Sequence, residues 1–275
     1  MRSIKEALDH RYGDFPHSVD PRLEASEFLR GLASRGVCRR FRDEPVPREL
    51  IDTLAALALA APSKSDLQQR DILIIEDVAI RSRINTLLAD QDWIRKAPHF
   101  LVFLGNNRRQ RQVHDWTGIP FANDHLDAFF NASVDAGIVL SSFVLAAEAA
   151  GLGCCPVSVI RNHAQEVSDL LGLPDHVFPV AGLGFGWPQG PSYISLRLPL
   201  AATLHRDRYN ESTREIVSGY DRRRNGVFPY RQQRNVARFG TSESYGWSED
   251  KARQYAEPER ADFGQFVNAR GFKLK

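Results

Sequence analysis

The chain has 275 residues, 43% of them hydrophobic and 25% charged, which is typical of a soluble globular protein with one large domain or two small ones. Its net charge of +2 gives no overall field that would favour a nucleic acid or an anionic membrane as partner. Three cysteines, two of them adjacent, cannot form the disulfide framework of a secreted fold, so we expect a cytoplasmic protein. The N-terminus predicts no secretory signal.

Short apolar runs bounded by turn residues predict the regular elements. Residues 1–25 are expected to form a polar lead-in helix and loop. A helix is predicted between Pro47 and Pro62, because Leu50, Leu54 and Ala61 keep a helical spacing and proline favours both ends. The predicted strands are residues 71–76, 99–105, 154–160 and 178–186, and a compact helix is predicted over 163–174.

The segment 133–150 is apolar on nearly every face and ends at Gly151 and Gly153. A helix of this kind must be covered on all sides. It is therefore either the central helix of one core or buried in part by a second subunit, and the sequence leaves both open. Its uncharged stretch, residues 136–147, is too short to span a bilayer, so no membrane contact is expected.

Two further segments are polar or mixed. Residues 106–130 combine charge with Trp116 and several phenylalanines, which suits either a mobile cover over a pocket or a plain surface excursion. Between Arg206 and Gly240 there are nine arginines against four acidic residues, which is typical of a solvated extension. We predict a lead-in at 1–25, a core domain at 26–209 and an extension at 210–275 that wraps the core.

Three stretches carry groups suited to an anion. The first, "SRGVCRRFRDEPVP" at 34–47, places Arg35 and Arg39 four apart, so one helical turn would bring both to one side. The alternatives are a solvent-facing turn and a fixed phosphate, whose oxygens match the paired donors of arginine. The second, "AAPSKSDLQQ" at 60–69 (the 60s loop), is rich in donors, and its Asp66 and Gln68 could reach a heterocycle. The third, residues 186–200, contains Arg197, whereas "GLGFG" at 182–186 lacks the dinucleotide-binding spacing.

Taken in order, these stretches resemble the nitroreductase family of FMN-dependent enzymes. Residues 35–41 stand where the family has R-x-S-x-R-x-F, and "APSKSDLQ" where it has A-P-S-S-x-N-x-Q. The helix from Asp135 to Gly153, the strand "CPVSVIRN" and "GWPQGPSYISLRLP" follow in the family's order. The C-terminal "YD", "GWS" and "ARGF" are similar to the NADPH-dependent, oxygen-insensitive nitroreductase and flavin reductase branch.

The resemblance implies an α+β fold, a mainly antiparallel sheet flanked by helices, in an intertwined homodimer with FMN at the subunit interface. Arg35 and Arg197 would hold the FMN phosphate, and Arg39 would lie near the pyrimidine edge or the phosphate. Residues 156–158 would lie against the ring, with a backbone N–H facing N5. The full set of cofactor-binding residues that the resemblance implies is Arg35, Gly36, Val37, Cys38, Arg39, Ser63, Lys64, Ser65, Asp66, Gln91, Pro156, Val157, Ser158 and Arg197.

The chain departs from the family pattern at four positions. Val37 replaces a serine, Lys64 a second serine and Asp66 an asparagine, while Ser195 stands where a phosphate-binding lysine is usual. Lys64 is a candidate to restore the missing charge. Arginines of the extension could meet the 2′-phosphate of NADPH, and Arg238 is the residue we expect to do so.

The function implied is a ping-pong NAD(P)H oxidoreductase that reduces nitroaromatics, quinones or free flavins by two electrons. The flavin carries the chemistry, so no catalytic acid, base or metal ligand is expected. One alternative is a specialised flavoenzyme of the same superfamily, of the flavin-destructase or reductive-dehalogenase type. The other is a non-enzymatic nucleic-acid-binding protein, in which Tyr209, Tyr220 and Tyr230 of the arginine-rich tract would stack on bases.

Overall fold

The chain forms two compact units, each assembled from two separate stretches of sequence. This computed structural model describes residues 2–13 and 15–275, so two residues of the predicted lead-in, Met1 and Asp14, lie outside the described residues. The first unit comprises Met1–Gly36 and Tyr193–Glu259, and the second comprises Val37–Ser192 and Arg260–Lys275.

The second unit is built on a four-stranded sheet in which all neighbouring strands run antiparallel. The strands are β1 (Arg70–Ile74), β2 (His99–Asn106), β3 (Gly153–Val157) and β4 (Val177–Gly186), in the order β1-β2-β4-β3. The central strands β2 and β4 are buried along almost their whole length, which explains why they are continuous apolar runs in the sequence. The predicted antiparallel sheet flanked by helices is confirmed.

Helices account for about half of the remaining chain. In the first unit they are α1 (Ile4–Tyr12), α2 (Pro21–Glu24), α3 (Glu27–Ser34), α9 (Arg214–Val227), α10 (Val236–Phe239) and α11 (Trp247–Tyr255). In the second unit they are α4 (Arg48–Leu59), α5 (Val78–Leu87), α6 (Arg108–Thr117), α7 (Leu126–Ala149), α8 (Ala164–Leu170) and α12 (Phe263–Ala269). Short 3-10 turns occupy Lys64–Asp66, Ile94–Lys96, Val159–His163 and Leu200–Ala202.

The helix predicted over 163–174 ends at Leu170 and the strand predicted over 71–76 ends at Ile74, and two other predicted bounds were wrong for an identifiable local reason. The strand predicted over 154–160 ends at Val157, because Ser158 has φ −88° and ψ −15° and leads into a 3-10 turn. The long apolar helix begins at Leu126 rather than Ser133, with the His125 side chain accepting a hydrogen bond from the Asp127 N–H at 3.3 Å. The segment predicted as a cover or an excursion is therefore largely helical.

Helix α7 presents two different faces. One face is buried in the main core against β2 and β4, through residues such as Val139 and Phe143. The other face leaves Leu126, Phe130 and Val134 exposed, by 50%, 59% and 43% respectively. In the part of the chain that the structure describes, α7 is the one helix whose length and apolar composition would suffice for a membrane span, but its packing is that of a core helix. Its own unit covers only part of its apolar surface.

The glycines of "GLGFG" on β4 have a packing role. A Cβ on Gly182 would lie 2.5 Å from the Phe100 ring, and one on Gly184 would lie 2.8 Å from the Trp93 ring. Both distances are shorter than the contacts that Cβ atoms make in proteins, so the aromatic rings can lie directly on the backbone of β4 only where the residue is glycine. The close spacing of glycines therefore reflects ring packing on the sheet.

The first unit has a smaller core at the start of the chain. Ile4, Ala7 and Ala33 are buried and pack with Leu29 and Ile194. Helix α1 begins with a capping box, in which Ser3 and Glu6 exchange side-chain and backbone hydrogen bonds, so its start is fixed locally. The lead-in is thus packed against residues from both stretches of its unit.

Candidate functional site

The arginine-rich stretch is extended, not helical. Helix α3 ends at Ser34, and residues 35–40 have no helical structure. The expectation that one helical turn brings Arg35 and Arg39 to the same side was therefore wrong, and the two residues belong to different units. The backbone follows the end of the sheet instead: the Cys38 N–H donates to the Cys154 carbonyl at 3.0 Å, and the Arg42 N–H donates to the Trp187 carbonyl at 2.8 Å.

Close packing holds this extended segment against β3. A Cβ on Gly153 would lie 2.6 Å from both Cβ and Sγ of Cys38, so the strand can approach only because residue 153 is glycine. Burial raises the pKa of the Cys38 thiol, and burial likewise raises the pKa of Cys155 against the opposing charge of Arg39. These thiols therefore stay protonated at neutral pH.

Arg39, Gln91 and Trp93 lie together beside β3. The Arg39 guanidinium lies 5.9 Å from the centroid of the Trp93 ring, and the Trp93 indole N–H donates to Gln91 Oε1 at 3.2 Å. The Trp93 ring lies over Gly184, whose register partner on β3 is Cys155. The fold thus gathers two of the residues predicted to contact the cofactor near the same edge of the sheet.

Strand β3 is an edge strand whose outer side is covered by Cys38 at Gly153 and Cys154 and is open from Pro156 onward. Pro156 and Ser158 are exposed, whereas Cys155 and Val157 are buried. The Cys154 carbonyl faces outward, since it accepts from Cys38, and the strand alternation directs the Pro156 carbonyl and the Ser158 N–H to that same side. Since proline has no N–H, Ser158 supplies the first outward donor beyond Cys154, next to a flat proline surface.

The 60s loop has a strained backbone that one buried carboxylate holds in place. Ser65, Asp66 and Gln68 have φ values of 49°, 57° and 53°, a region that costs side-chain-bearing residues energy and recurs at ligand sites. Asp135 of α7, only 1% exposed, accepts the Lys64 N–H at 3.2 Å and the Gln69 N–H at 3.0 Å. Sequence reasoning missed this role, although Asp135 is the only charged residue within the apolar segment 133–147.

Side chains of α6 and α7 also support the 60s loop. Arg109 Nη1 donates to the Gln68 carbonyl at 2.7 Å, and Gln110 Nε2 donates to the Leu67 carbonyl at 2.6 Å. Lys64 Nζ lies 3.4 Å from Asp127 Oδ2, so the lysine charge has a carboxylate partner in this unit. Part of the segment 106–130 therefore acts as a scaffold for the loop.

The sheet separates two of the predicted contact regions. The 60s loop leads into β1, at one edge of the sheet, whereas residues 156–158 belong to β3 at the other edge. With β2 and β4 between them, and about 4.8 Å between neighbouring strands, the two edge strands lie about 14 Å apart. The sheet of a single chain thus places the 60s loop and the β3 surface on opposite edges.

Arg35, Arg197 and Arg238 all belong to the first unit. Arg197 Nη1 donates to Ser195 Oγ at 2.6 Å, so the serine at the position where the family pattern has lysine orients this arginine. Arg238 is exposed, and its Nη1 lies 3.5 Å from Glu257 Oε1. Tyr220 is buried, with its hydroxyl 3.4 Å from the Leu196 carbonyl, so it is unavailable for stacking on bases.

Taken together, the antiparallel sheet, the open edge of β3 and the strained donor loop define an α+β scaffold suited to a flat, polar-edged ligand. The chain belongs to the nitroreductase family: the model of the nitroreductase family matches residues 32–187, and that of the nitroreductase family C-terminal domain matches residues 195–275.

Relatives of known activity and a solved structure cover between 66% and 91% of this chain. The "FMN reductase [NAD(P)H]" of Bacillus subtilis is 30% identical over 91% of this chain and 99% of its own length. The "Oxygen-insensitive NADPH nitroreductase" of Salmonella typhimurium is 32% identical over 66% of this chain and 75% of its own length. Among solved structures, B. megaterium NfrA2 superposes with a TM-score of 0.82, at 30% identity over 91% of this chain and 99% of that one.

Proposed function

We propose that this protein is an FMN-dependent NAD(P)H oxidoreductase that reduces small, flat acceptors by two electrons in a ping-pong cycle. The family models and relatives named FMN reductase and NADPH nitroreductase support this activity. The match to the family's C-terminal domain favours the reductase branch over the specialised flavoenzymes. Nitroaromatics, quinones and free flavins are the proposed acceptors, since an open apolar surface over a ring selects mainly for flatness.

The residues present fit FMN, and the observation that carries this is the open edge of β3. Pro156 offers a flat apolar surface, and the adjacent Ser158 N–H points outward, as a hydrogen bond to a ring nitrogen requires. When bound, FMN would accept a hydride from NAD(P)H and pass two electrons to the acceptor. In the second unit, Val37 to Arg39, Ser63 to Asp66, Gln91 and residues 156–158 would bind the ring and its edges.

In the first unit, Arg35 and Arg197 would bind the phosphate, and Gly36 is a further proposed cofactor-binding residue. The pair fits a dianion because each guanidinium offers planar donors and a permanent charge. Arg238 would bind the 2′-phosphate of NADPH. We also propose the division of the chain into a lead-in, a core and an extension at residues 25 and 209, and a cytoplasmic location.

We further propose that the protein is a homodimer. The 60s loop and the β3 surface lie on opposite edges of the sheet, so a second copy would bring one chain's loop to the other chain's strand. The exposed stripe of Leu126, Phe130 and Val134 on α7 is the proposed contact, since such apolar stripes mark association surfaces. Sedimentation of the purified protein tests this proposal, and a monomer at micromolar concentration would contradict it.

The absorption spectrum tests the flavin assignment directly. Purified protein, reconstituted with FMN if necessary, should be yellow, and anaerobic addition of NADPH should bleach its long-wavelength band. Nitrofurazone or a quinone should then restore the colour. Folded protein that neither retains FMN nor quenches its fluorescence would contradict the proposed function, whereas FMN destruction in air would favour the flavin-destructase type.

A further inference from the structure

The first α-helix lies outside the part of the chain that the family models describe. Those models match residues 32–187 and 195–275, so α1 belongs to neither. Yet α1 carries Arg11, which is only 6% exposed and lies in the last turn of the helix. A buried arginine is costly unless its donors are satisfied, so the groups that it contacts are informative.

Arg11 joins the two backbone segments that carry Arg35 and Arg197. Its Nε donates to the Ala33 carbonyl at 2.7 Å, and its Nη2 donates to the carbonyl of Arg35 itself. Its Nη1 donates to the Ser195 carbonyl at 3.0 Å, more than 150 residues further along the chain. The Arg197 N–H donates back to the Arg11 carbonyl at 2.8 Å. The side chain and the backbone carbonyl of Arg11 thus together bind both backbone segments.

Arg223 of α9 also donates hydrogen bonds to the end of α1 and to the segment that carries Arg197. Its Nη1 donates to the His10 carbonyl at 3.1 Å, while its Nη2 donates to the Arg11 carbonyl at 2.9 Å and to the Arg197 carbonyl at 2.8 Å. The end of α1 is therefore tied to the backbone of residues 195–197 by two independent guanidinium groups, that of Arg11 at the Ser195 carbonyl and that of Arg223 at the Arg197 carbonyl. The rigid, planar fork of arginine suits this role, since each group holds several carbonyls in a fixed geometry.

We propose that Arg11 is a positioning residue for phosphate binding: it sets the spacing of Arg35 and Arg197 so that both guanidinium groups can reach one phosphate. This inference rests on the proposed function. The N-terminal helix thereby compensates for the serine at 195, where the family pattern has a phosphate-binding lysine. It adds no direct ligand, but it fixes the backbone of the two arginines and places a further positive charge beside them.

A comparison of FMN with riboflavin separates this role from a merely structural one. The two molecules share the ring and differ in the phosphate, so a displaced phosphate site weakens FMN alone. The variants are Arg11→Met, which removes the charge and all donors at similar length, and Arg11→Lys, which keeps the charge but not the fork. Arg22→Met is the matched control, since Arg22 lies before residue 32 as well but is 88% exposed and paired with Asp20.

Dissociation constants for both flavins, from quenching of flavin fluorescence, give the outcome. We expect Arg11→Met to weaken FMN at least tenfold and riboflavin less than twofold, Arg11→Lys to be intermediate for FMN, and Arg22→Met to match the wild type. Equal weakening of both flavins, or no change in either, would overturn the inference, as would a wild type that does not prefer FMN to riboflavin.

Two results would need a further comparison: an Arg11→Met variant that does not fold, and a wild type that binds neither flavin. If circular dichroism shows that Arg11→Met is unfolded, Arg11→Lys decides the question, because an unchanged ratio of FMN to riboflavin affinity in that variant also overturns the inference. Wild-type protein that binds neither flavin would instead refute the proposed function, so the two failures are distinguishable.

Discussion

Replacing Asp135 with alanine tests whether a single buried carboxylate maintains the 60s loop. Its two oxygens accept the N–H groups of Lys64 and Gln69, and the carboxylate is almost wholly buried. Removing it leaves two backbone donors without their partner, and each unsatisfied buried donor costs about 1–3 kcal/mol. Because the hydrogen bond from the Gln69 N–H is buried and that from the Lys64 N–H is only partly buried, we expect the free energy of unfolding to fall by about 2–4 kcal/mol.

The strain in the 60s loop adds a second expected effect. Three of its residues have positive φ, and without Asp135 the loop can relax toward ordinary backbone angles. We expect affinity for FMN to fall tenfold or more if the loop contacts the cofactor. Asp135→Asn should be milder in both measurements, at about 1–2 kcal/mol, since the amide keeps one acceptor oxygen but presents a donor to one of the two N–H groups.

Urea unfolding and FMN titration measure the two effects, and Ser141→Ala serves as control because Ser141 is an exposed residue of the same helix. A loss of stability below 0.5 kcal/mol for Asp135→Ala would refute the reasoning, since it would mean that water or other groups satisfy these N–H groups equally well. Lost stability with unchanged FMN affinity would show that the loop does not hold the flavin.

Three further predictions follow from other contacts. Gly184→Ala places a Cβ 2.8 Å from the Trp93 ring, so we expect a loss of about 1–3 kcal/mol in thermal or urea unfolding; an unchanged midpoint would mean that the ring moves freely. The hydrogen bond from Arg111 lowers the pKa of Asp124 to about 2, against an ordinary 3.8. That difference in pKa corresponds to about 2.4 kcal/mol, which solvent screening reduces to about 1 kcal/mol. This ionic contribution stabilises the fold above about pH 4 and is lost as the pH falls through 2. Asp124→Asn should therefore lower stability at pH 7 and match the wild type near pH 2, and an equal deficit at both pH values would exclude this ionic origin. Arg238→Ala should raise KM for NADPH far more than KM for NADH in steady-state assays, and equal changes would remove Arg238 from the 2′-phosphate site.

The sequence was most informative where a signal repeats locally. Strands β2 and β4 are apolar runs flanked by turn residues, and α4 has a proline near each end, so their existence and approximate bounds follow from the chain alone. The ordered motifs from residue 35 to residue 197 also identified the family, which the match over residues 32–187 confirms. The prediction failed at Arg35 and Arg39, because a four-residue spacing places side chains on one side only if the backbone is helical.

The contacts that organise the candidate site were decided only by tertiary structure. Asp135 meets the 60s loop across 66 residues of sequence, and Arg11 reaches the Ser195 carbonyl across 184. Neither contact leaves a local pattern, because the partners are backbone groups, which every residue possesses and no sequence motif marks. The amino-acid order by itself determined the helices and strands and the family. The contacts between buried charges and backbone segments depended on how distant parts of the chain meet, because hydrogen bonds to the main chain depend on position and not on residue type.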